Sequence, residues 1–312
     1  SSFFRYSKLT EMLNNHPEID IVSVITPSGL HFDQALELIE LHKKNVLIEK
    51  PIVMRVSEGN ILEKAAKENN LYIFPSHQYR FNNCVQRIKK GIESGELGTP
   101  FLGSVRMRWC RPQRYYDRDP WRGTFAMDGG CFANQGIHHI DLLRYLMGEV
   151  KRVNAILKTF GSEIEVEDTG VVNLEFENGA LGTLEITTAA RPIDYESSLS
   201  VVGSKGMAML GGWATDKLML FSPDPTQEQE YSQSFTSAYG FGHIDIYKGV
   251  YKKLSKTGEE AVTLSDGLKT IKLLHSIYKS DELREWVDLD QSLESERLGQ
   301  RDPELLKIYQ NV

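Results

Sequence analysis

The chain has 312 residues, 40% of them hydrophobic and 25% charged, with a formal net charge of −7. This fits a soluble globular protein of one large or two ordinary domains. The acidic balance argues against non-specific nucleic-acid binding, and no apolar run approaches the roughly 20 residues that span a bilayer.

The first residues lack the basic-then-apolar pattern of a secretory leader, so we expect a cytoplasmic location with no membrane or nucleic-acid partner. Cys84, Cys110 and Cys131 are odd in number and widely spaced. They fit reduced thiols better than a disulfide or a CxxC metal site.

In chain order, "SSFFRYSKLTEMLNNHPEID" is a helix feeding straight into "IDIVSVITP" (19–27), a β-branched run that predicts a buried strand. "HFDQALELIELHKKN" sets Phe32, Ala35, Leu36 and Ile39 at helical spacing. "VLIEKP" (46–51) is a second buried strand. "SEGNILEKAAKENN" is a helix with Ser57 as N-cap, and "LYIFPS" (71–76) is a third strand. Strand alternating with helix implies right-handed crossovers and a parallel sheet. Ligands bind such sheets beyond the carboxyl ends of the strands, where Thr26–Pro27, Glu49–Lys50–Pro51 and His77–Arg80 fall.

The second half changes character. "NCVQRIKKGIESGELG" is a helix ending at glycine, and "TPFLGSVRMRW" alternates like a strand. "VVNLEFENGALGTLEITT" predicts two strands around Asn178–Gly179, and "SSLSVVGSKGMAML" a hairpin around Gly203–Gly206. "DGLKTIKLLHSIYKSDEL" (266–283) is an amphipathic helix, and the polar C-terminus is expected to be a surface arm. The predicted class is α/β: a partial Rossmann parallel sheet over residues 1–82, then an α+β domain with an open, mainly antiparallel sheet over 83–312.

Three stretches carry candidate chemistry. In "IEKP", Lys50 sits at a strand end, where it either snorkels to solvent or faces a cleft. In "GGCFANQGIHHIDLLRYLMG" (129–148), Asn134, His138 and Asp141 share one face at helical spacing. Asn134 is then an N-cap, and Asp141 is held by backbone or by Arg144; alternatively the set looks into a cleft, with His138 as acid/base near neutral pH. Neighbouring His139 points elsewhere, and one histidine with an asparagine and an aspartate is too thin for a metal.

In "DPWRGTFAMDGG", Trp121 offers a flat surface and Arg122 a charge, suited to a phosphorylated, ring-bearing ligand or to a core tryptophan with a salt bridge. "GFGHIDIY" adds His243 and Tyr247 as substrate contacts. "RMRWCRPQRYYDR" is a strand edge or substrate loop.

Together, "TPSGLHFDQALELIELHKKNVLIEKP", "HQYRFN" and "PWRGTFAMDGGCFANQGIHHIDLL" resemble, in order and spacing from residue 1 to about 285, the glucose-fructose oxidoreductase / inositol 2-dehydrogenase / rhizopine-catabolism (Gfo/Idh/MocA) family. The resemblance implies a Rossmann domain, a C-terminal α/β domain with an open sheet, NAD or NADP in the cleft between them, and a homodimer or homotetramer built through the open sheet.

Lys50 matches the EKP lysine that contacts nicotinamide and substrate hydroxyl, and His138 matches the catalytic histidine. Thr26, Pro27, His31 and Glu49 match cofactor-lining positions, and Trp121–Arg122 a pair that approaches the cofactor. Asn134, Arg80, Asp141, His243 and Tyr247 are carried as substrate-binding candidates. The implied activity is oxidation of a secondary hydroxyl of a sugar, nucleotide-sugar or cyclitol, the alternatives being a cofactor-free binding protein or an NAD-dependent glycoside hydrolase or epimerase.

Two features depart from the family pattern. Asn134 stands where many members have aspartate; it can orient a hydroxyl but cannot ionise. The N-x-G-x-H form turns the expectation towards nucleotide-linked amino- or uronic sugars. No G-x-G-x-x-G occurs, so the pyrophosphate-binding unit is expected either to precede this sequence or to be lost.

Overall fold

The computed structural model describes residues 4–236, 239–291 and 293–309. A short helix α1 (Leu9–Asn15) leads into strand β1 (Ile21–Val24), which pairs in parallel with β2 (Asn45–Ile48); β3 (Ile73–Pro75) continues the sheet in the order β1-β2-β3. Helices α2 (His31–Glu40) and α3 (Val56–Glu68) connect the strands. The expected parallel sheet is present.

Central β2 is apolar because both its faces are covered. Val46 and Ile48 pack with Ala35, Leu38 and Ile39 of α2 and Leu62 of α3, the i, i+3, i+4 stripe expected of helices lying on a sheet. Leu47 points the other way, towards Phe74.

Two local expectations are corrected. β1 is shorter than 19–27 and lies at an edge of the described sheet, so only Val24 of its residues is buried and Ile25 beyond it is 74% exposed. Ser57 is not the N-cap of α3. Arg55 occupies the N-cap position, and Glu58 folds back to accept the backbone N–H groups of Met54 and Arg55 at 3.2 and 3.1 Å.

After α4 (Asn83–Glu93), an eight-stranded sheet is built from β4 (Pro100–Arg108), β5 (Val150–Lys158), β6 (Thr169–Phe176), β7 (Leu181–Thr187), β8 (Glu196–Gly203), β9 (Met207–Gly211), β10 (Lys217–Phe221) and β11 (Val287–Asp288). Its order is β10-β9-β8-β4-β7-β6-β5-β11, antiparallel except for β4–β7. The hairpins around Asn178–Gly179 and Gly203–Gly206 form as predicted.

Period-two patterning fixes one inner face: Val105, Met107, Val172, Leu174, Leu184, Ile186, Leu199 and Val201 pack with helix α5 (Ile137–Met147). The opposite face stays open, with Val171, Leu181 and Met219 each more than half exposed.

Two late helices return to the first sheet. Ile246 and Val250 of α6 (Gly242–Leu254) cover Leu47 and Phe74. α7 (Leu264–Leu283) bridges the cores, giving Leu268 and Ile271 to the first and Leu273, Leu274, Ile277 and Tyr278 to the second. The polar C-terminal stretch is also not the expected surface arm. Ser295 and Leu298 are fully buried, because Glu294 accepts from Arg55 Nη2 at 2.7 Å and Arg297 donates to Asp281 at 2.8 Å.

Gly242, at the start of α6, meets the turn at residues 78–81: an added Cβ would lie 2.0 Å from the carbonyl oxygen of Gln78. Gly242→Ala should therefore destabilise the protein by about 1–3 kcal/mol through overpacking against backbone. Thermal denaturation reads this directly, and an unchanged midpoint would show that the helix is free to move back.

Candidate active site

β2 runs towards the second domain and Pro51 ends its ladder, so Lys50 is carried to the strand's carboxyl end. The snorkelling alternative is not realised. Lys50 Nζ donates to the backbone oxygen and to Oδ1 of Asn134, both at 2.9 Å. Asn134 Nδ2 in turn donates to Asp128 Oδ1, while Asp128 Oδ2 accepts the Gly123 N–H at 2.7 Å. An ammonium only donates and a carboxylate only accepts, so the amide's orientation is fixed by chemistry.

Burial lowers the pKa of Lys50, with Glu49 and Asp128 opposing the shift. Burial raises that of Asp128, opposed by the Gly123 N–H, Asn134 and Lys50. Asn134 is not a helix cap: Gly136 occupies the N-cap of α5, and Asn134 lies in the turn before it.

His138 lies in the first turn of α5. Its ring stacks on Tyr79, with centroids 4.3 Å apart and planes 17° apart. Nδ1 is buried with no hydrogen-bond partner among the described residues. Burial, then the charges of Lys50, His77 and His139, hold its pKa well below the ordinary histidine value, so the imidazole is neutral at pH 7.

Lys50, Asn134 and His138 line one cavity of about 450 Å³ together with Trp121 and Arg122. Trp109, Arg111, Tyr115, Arg118 and Tyr239 form more of its wall.

The remaining predicted residues sit elsewhere. Arg80 and Asp141 do not line this cavity. They form a buried fork, Nε to Oδ2 at 2.7 Å and Nη2 to Oδ1 at 2.6 Å, extended by Asp266 and Arg144. Burial alone would raise the Asp141 pKa, but His77, Arg80 and Arg144 hold it far below the usual carboxylate range. The alternative in which Asp141 is held by protein groups is the one observed, with Arg80 as the main partner.

His31 is buried, its ring nitrogens 2.7 Å from Pro51 O and 2.9 Å from Thr26 O; it ties the turn after β2 to the end of β1. Thr26 is exposed and bonds Gln34, and neither it nor Pro27 lines the cavity. Glu49, next to Lys50, accepts from Ser76 Oγ and pairs with His243 Nε2, both at 3.1 Å. Burial resists, but the His243 contact lowers the Glu49 pKa. Tyr247 is 55% exposed and faces outward from α6. His139 is fully buried against Ser197, as packing.

Sequence reading missed Asp128, Tyr79 and Glu167. Glu167 lies directly under the turn that carries Asp128 and Asn134. Gly129 and Gly130 both have φ of +77°, and a Cβ on Gly130 would be 2.2 Å from Glu167 Oε2. Glu167 Oε1 accepts the Phe132 N–H at 3.0 Å and lies 2.7 Å from the Tyr278 hydroxyl, which also donates to Gly129 O. A phenol has one proton, so the second contact calls for a proton on the carboxyl. Burial pushes the Glu167 pKa up to about 8, consistent with a neutral acid at pH 7. For Asp128 the sequence signal was an acid ahead of paired glycines.

A folded-state pKa above the ordinary 4.5 means that the folded protein binds this proton more tightly than the unfolded chain. That stability is complete below the ordinary value and is lost as pH rises through about 8. Between about pH 5 and 9 the wild type should lose on the order of 4 kcal/mol more than Glu167→Gln. Denaturant titrations across that range test it, and parallel stability curves for the two proteins would rule it out.

Two family models match the chain. One, described as an oxidoreductase family with an NAD-binding Rossmann fold, covers residues 2–77; the other, the GFO/IDH/MocA C-terminal domain, covers residues 85–209. The myo-inositol 2-dehydrogenase of Thermotoga maritima is 26% identical over 88% of this chain and 81% of its own length. The levoglucosan dehydrogenase of Pseudarthrobacter phenanthrenivorans is 25% identical with the same coverage.

Among solved structures, the WlbA dehydrogenase from Bordetella pertussis, in complex with NADH and UDP-GlcNAcA, is 36% identical with a TM-score of 0.84, covering 91% of this chain and 83% of that one. With the Rossmann-type sheet and the open second sheet already in view, the chain belongs to the GFO/IDH/MocA family of NAD-binding oxidoreductases.

Proposed function

We propose that this oxidoreductase uses NAD to oxidise a secondary hydroxyl of a nucleotide-linked sugar, a uronic sugar in particular. One observation carries the reading: a half-buried ammonium from the first domain and a neutral imidazole from the second line the same cavity. The substrate class is supported by the 36% identical relative solved with UDP-GlcNAcA and by the N-x-G-x-H form around Asn134.

The residues fit the nicotinamide end of a dinucleotide. Lys50 stands beyond the carboxyl end of β2, and Trp121 and Arg122 supply a ring face and a charge on the same wall. Bound NAD supplies the hydride acceptor.

The chain's own groups do the rest. Lys50 Nζ gives two hydrogen bonds to Asn134 and keeps a third N–H for the substrate oxygen, where its charge favours the developing alkoxide. His138, neutral and held flat by Tyr79, accepts the hydroxyl proton as the C–H bond breaks. The alcohol carbon leaves as a ketone, its proton on the imidazole. In the same reading two copies of the chain pair over the open sheet, whose Val171 and Leu181 lie exposed.

The test is turnover of UDP-linked sugars with NAD+, followed by absorbance of the reduced cofactor and by product mass. Lys50→Met and His138→Ala should each lower kcat by about 10²- to 10⁴-fold, with a product two hydrogens lighter than substrate in the wild type. Near wild-type turnover in both variants would remove these roles. A hydrolysed or epimerised product without net reduced cofactor would replace the reaction.

A further inference from the structure

The cavity that holds Lys50 and His138 is lined by four cations, Lys50, Arg111, Arg118 and Arg122, and by no aspartate or glutamate among the described residues. This occurs in a chain whose net charge is −7. Three of the four are already engaged. Lys50 is held by Asn134. Arg111 Nη1 lies 3.1 Å from Asp194 Oδ1. Arg122 donates to Asp119 at 3.0 Å and to the Tyr115 hydroxyl at 2.8 Å, its guanidinium between the Trp121 and Tyr115 rings at 4.4 and 4.6 Å.

Arg118 differs. Among the described residues its guanidinium makes no hydrogen bond, ion pair or ring contact. It stands in the loop between the helical turn Gln113–Tyr116 and Trp121, on the wall of the reaction cavity. A guanidinium offers a planar fork that matches a carboxylate or phosphate with two parallel hydrogen bonds. Arg118 is an exposed residue of this wall, and no described protein group occupies its fork.

Resting on the reading of the function above, we propose that Arg118 is the specificity-determining residue that binds an anionic group of the substrate, either the ring carboxylate of a uronic sugar or the diphosphate of its nucleotide. An oxyanion held there leaves the third N–H of Lys50 and the imidazole of His138 to the reacting hydroxyl. Because Arg118 makes no hydrogen bond, ion pair or ring contact among the described residues, its replacement removes charge without breaking a polar network.

Trp109 and Trp121 line the same cavity, so their fluorescence reports binding without turnover. UDP-GlcNAcA, UDP-GlcNAc and free GlcNAcA would be titrated into the wild type, Arg118→Gln and Arg118→Lys. We expect Arg118→Gln to weaken binding roughly tenfold, the loss of about one charge-assisted hydrogen bond, with partial recovery in Arg118→Lys.

A loss confined to the two carboxylate-bearing ligands assigns the ring carboxylate. A loss shared by the two nucleotide-bearing ligands, and spared for free GlcNAcA, assigns the diphosphate. Wild-type binding left unchanged by Arg118→Gln overturns the role of Arg118 and leaves the substrate class standing. A wild type that binds none of the three overturns both.

Discussion

A lysine ammonium in a half-buried cleft is the constraint around which this structure is arranged. Removing a charge from water is costly unless hydrogen bonds and a counter-charge replace the lost solvent. Lys50 meets that demand with the two oxygens of Asn134 and, through the Asn134 amide, with Asp128. The parts that bring these groups together come from distant stretches of chain. β2 and Pro51 deliver the lysine, and the left-handed turn at Gly129–Gly130 delivers Asp128 and Asn134. Helix α5, starting three residues beyond Asn134, then sets His138 on the same cavity.

Asparagine in place of an acid next to Lys50 moves the negative charge one group further back without removing it. The amide passes the field of Asp128 towards the ammonium while its own oxygen stays neutral. In the proposed reaction a proton leaving the substrate then has no carboxylate to join at this point, and the neutral imidazole of His138 is the acceptor at hand. The turn that imposes this order rests on a second buried carboxyl, Glu167, whose proton completes the contacts to Tyr278 and Gly129. The second domain thus holds two buried carboxyls beneath the site, set apart by what each can bond to: Asp128 accepts the Gly123 N–H and the Asn134 amide, and Glu167 meets the Tyr278 hydroxyl.

Much of this was legible in the sequence, and for physical reasons. The apolar runs at β2 and β3, the stripe of α2 and the Asn178–Gly179 hairpin are local consequences of period and turn chemistry. Lys50 stood out because a charge at the end of a buried strand needs a partner.

What was not legible is pairing across long separations. Arg80 and Asp141 are 61 residues apart, and only the fold shows that they satisfy each other and not a ligand. Spacing put Asp141 on the face of His138, yet the ion cluster draws it away from the cavity. Helix α7 read as amphipathic, but its sharing between the two cores shows only in the fold, and the return of α6 to the first sheet depends on Leu47 and Phe74 presenting an uncovered face. The C-terminal stretch looked like a polar arm because its buried members, Ser295 and Leu298, sit among charges that pair with Arg55 and Asp281.

The meeting of Lys50 and His138 over one substrate carbon is tested most directly by a crystal structure of the protein with NAD and UDP-GlcNAcA. The predicted result is a single ring hydroxyl within hydrogen-bonding distance of both Lys50 Nζ and the His138 imidazole, its carbon facing the nicotinamide. A sugar bound with its reacting hydroxyl against other groups, or with Lys50 and His138 on different substituents, would contradict it.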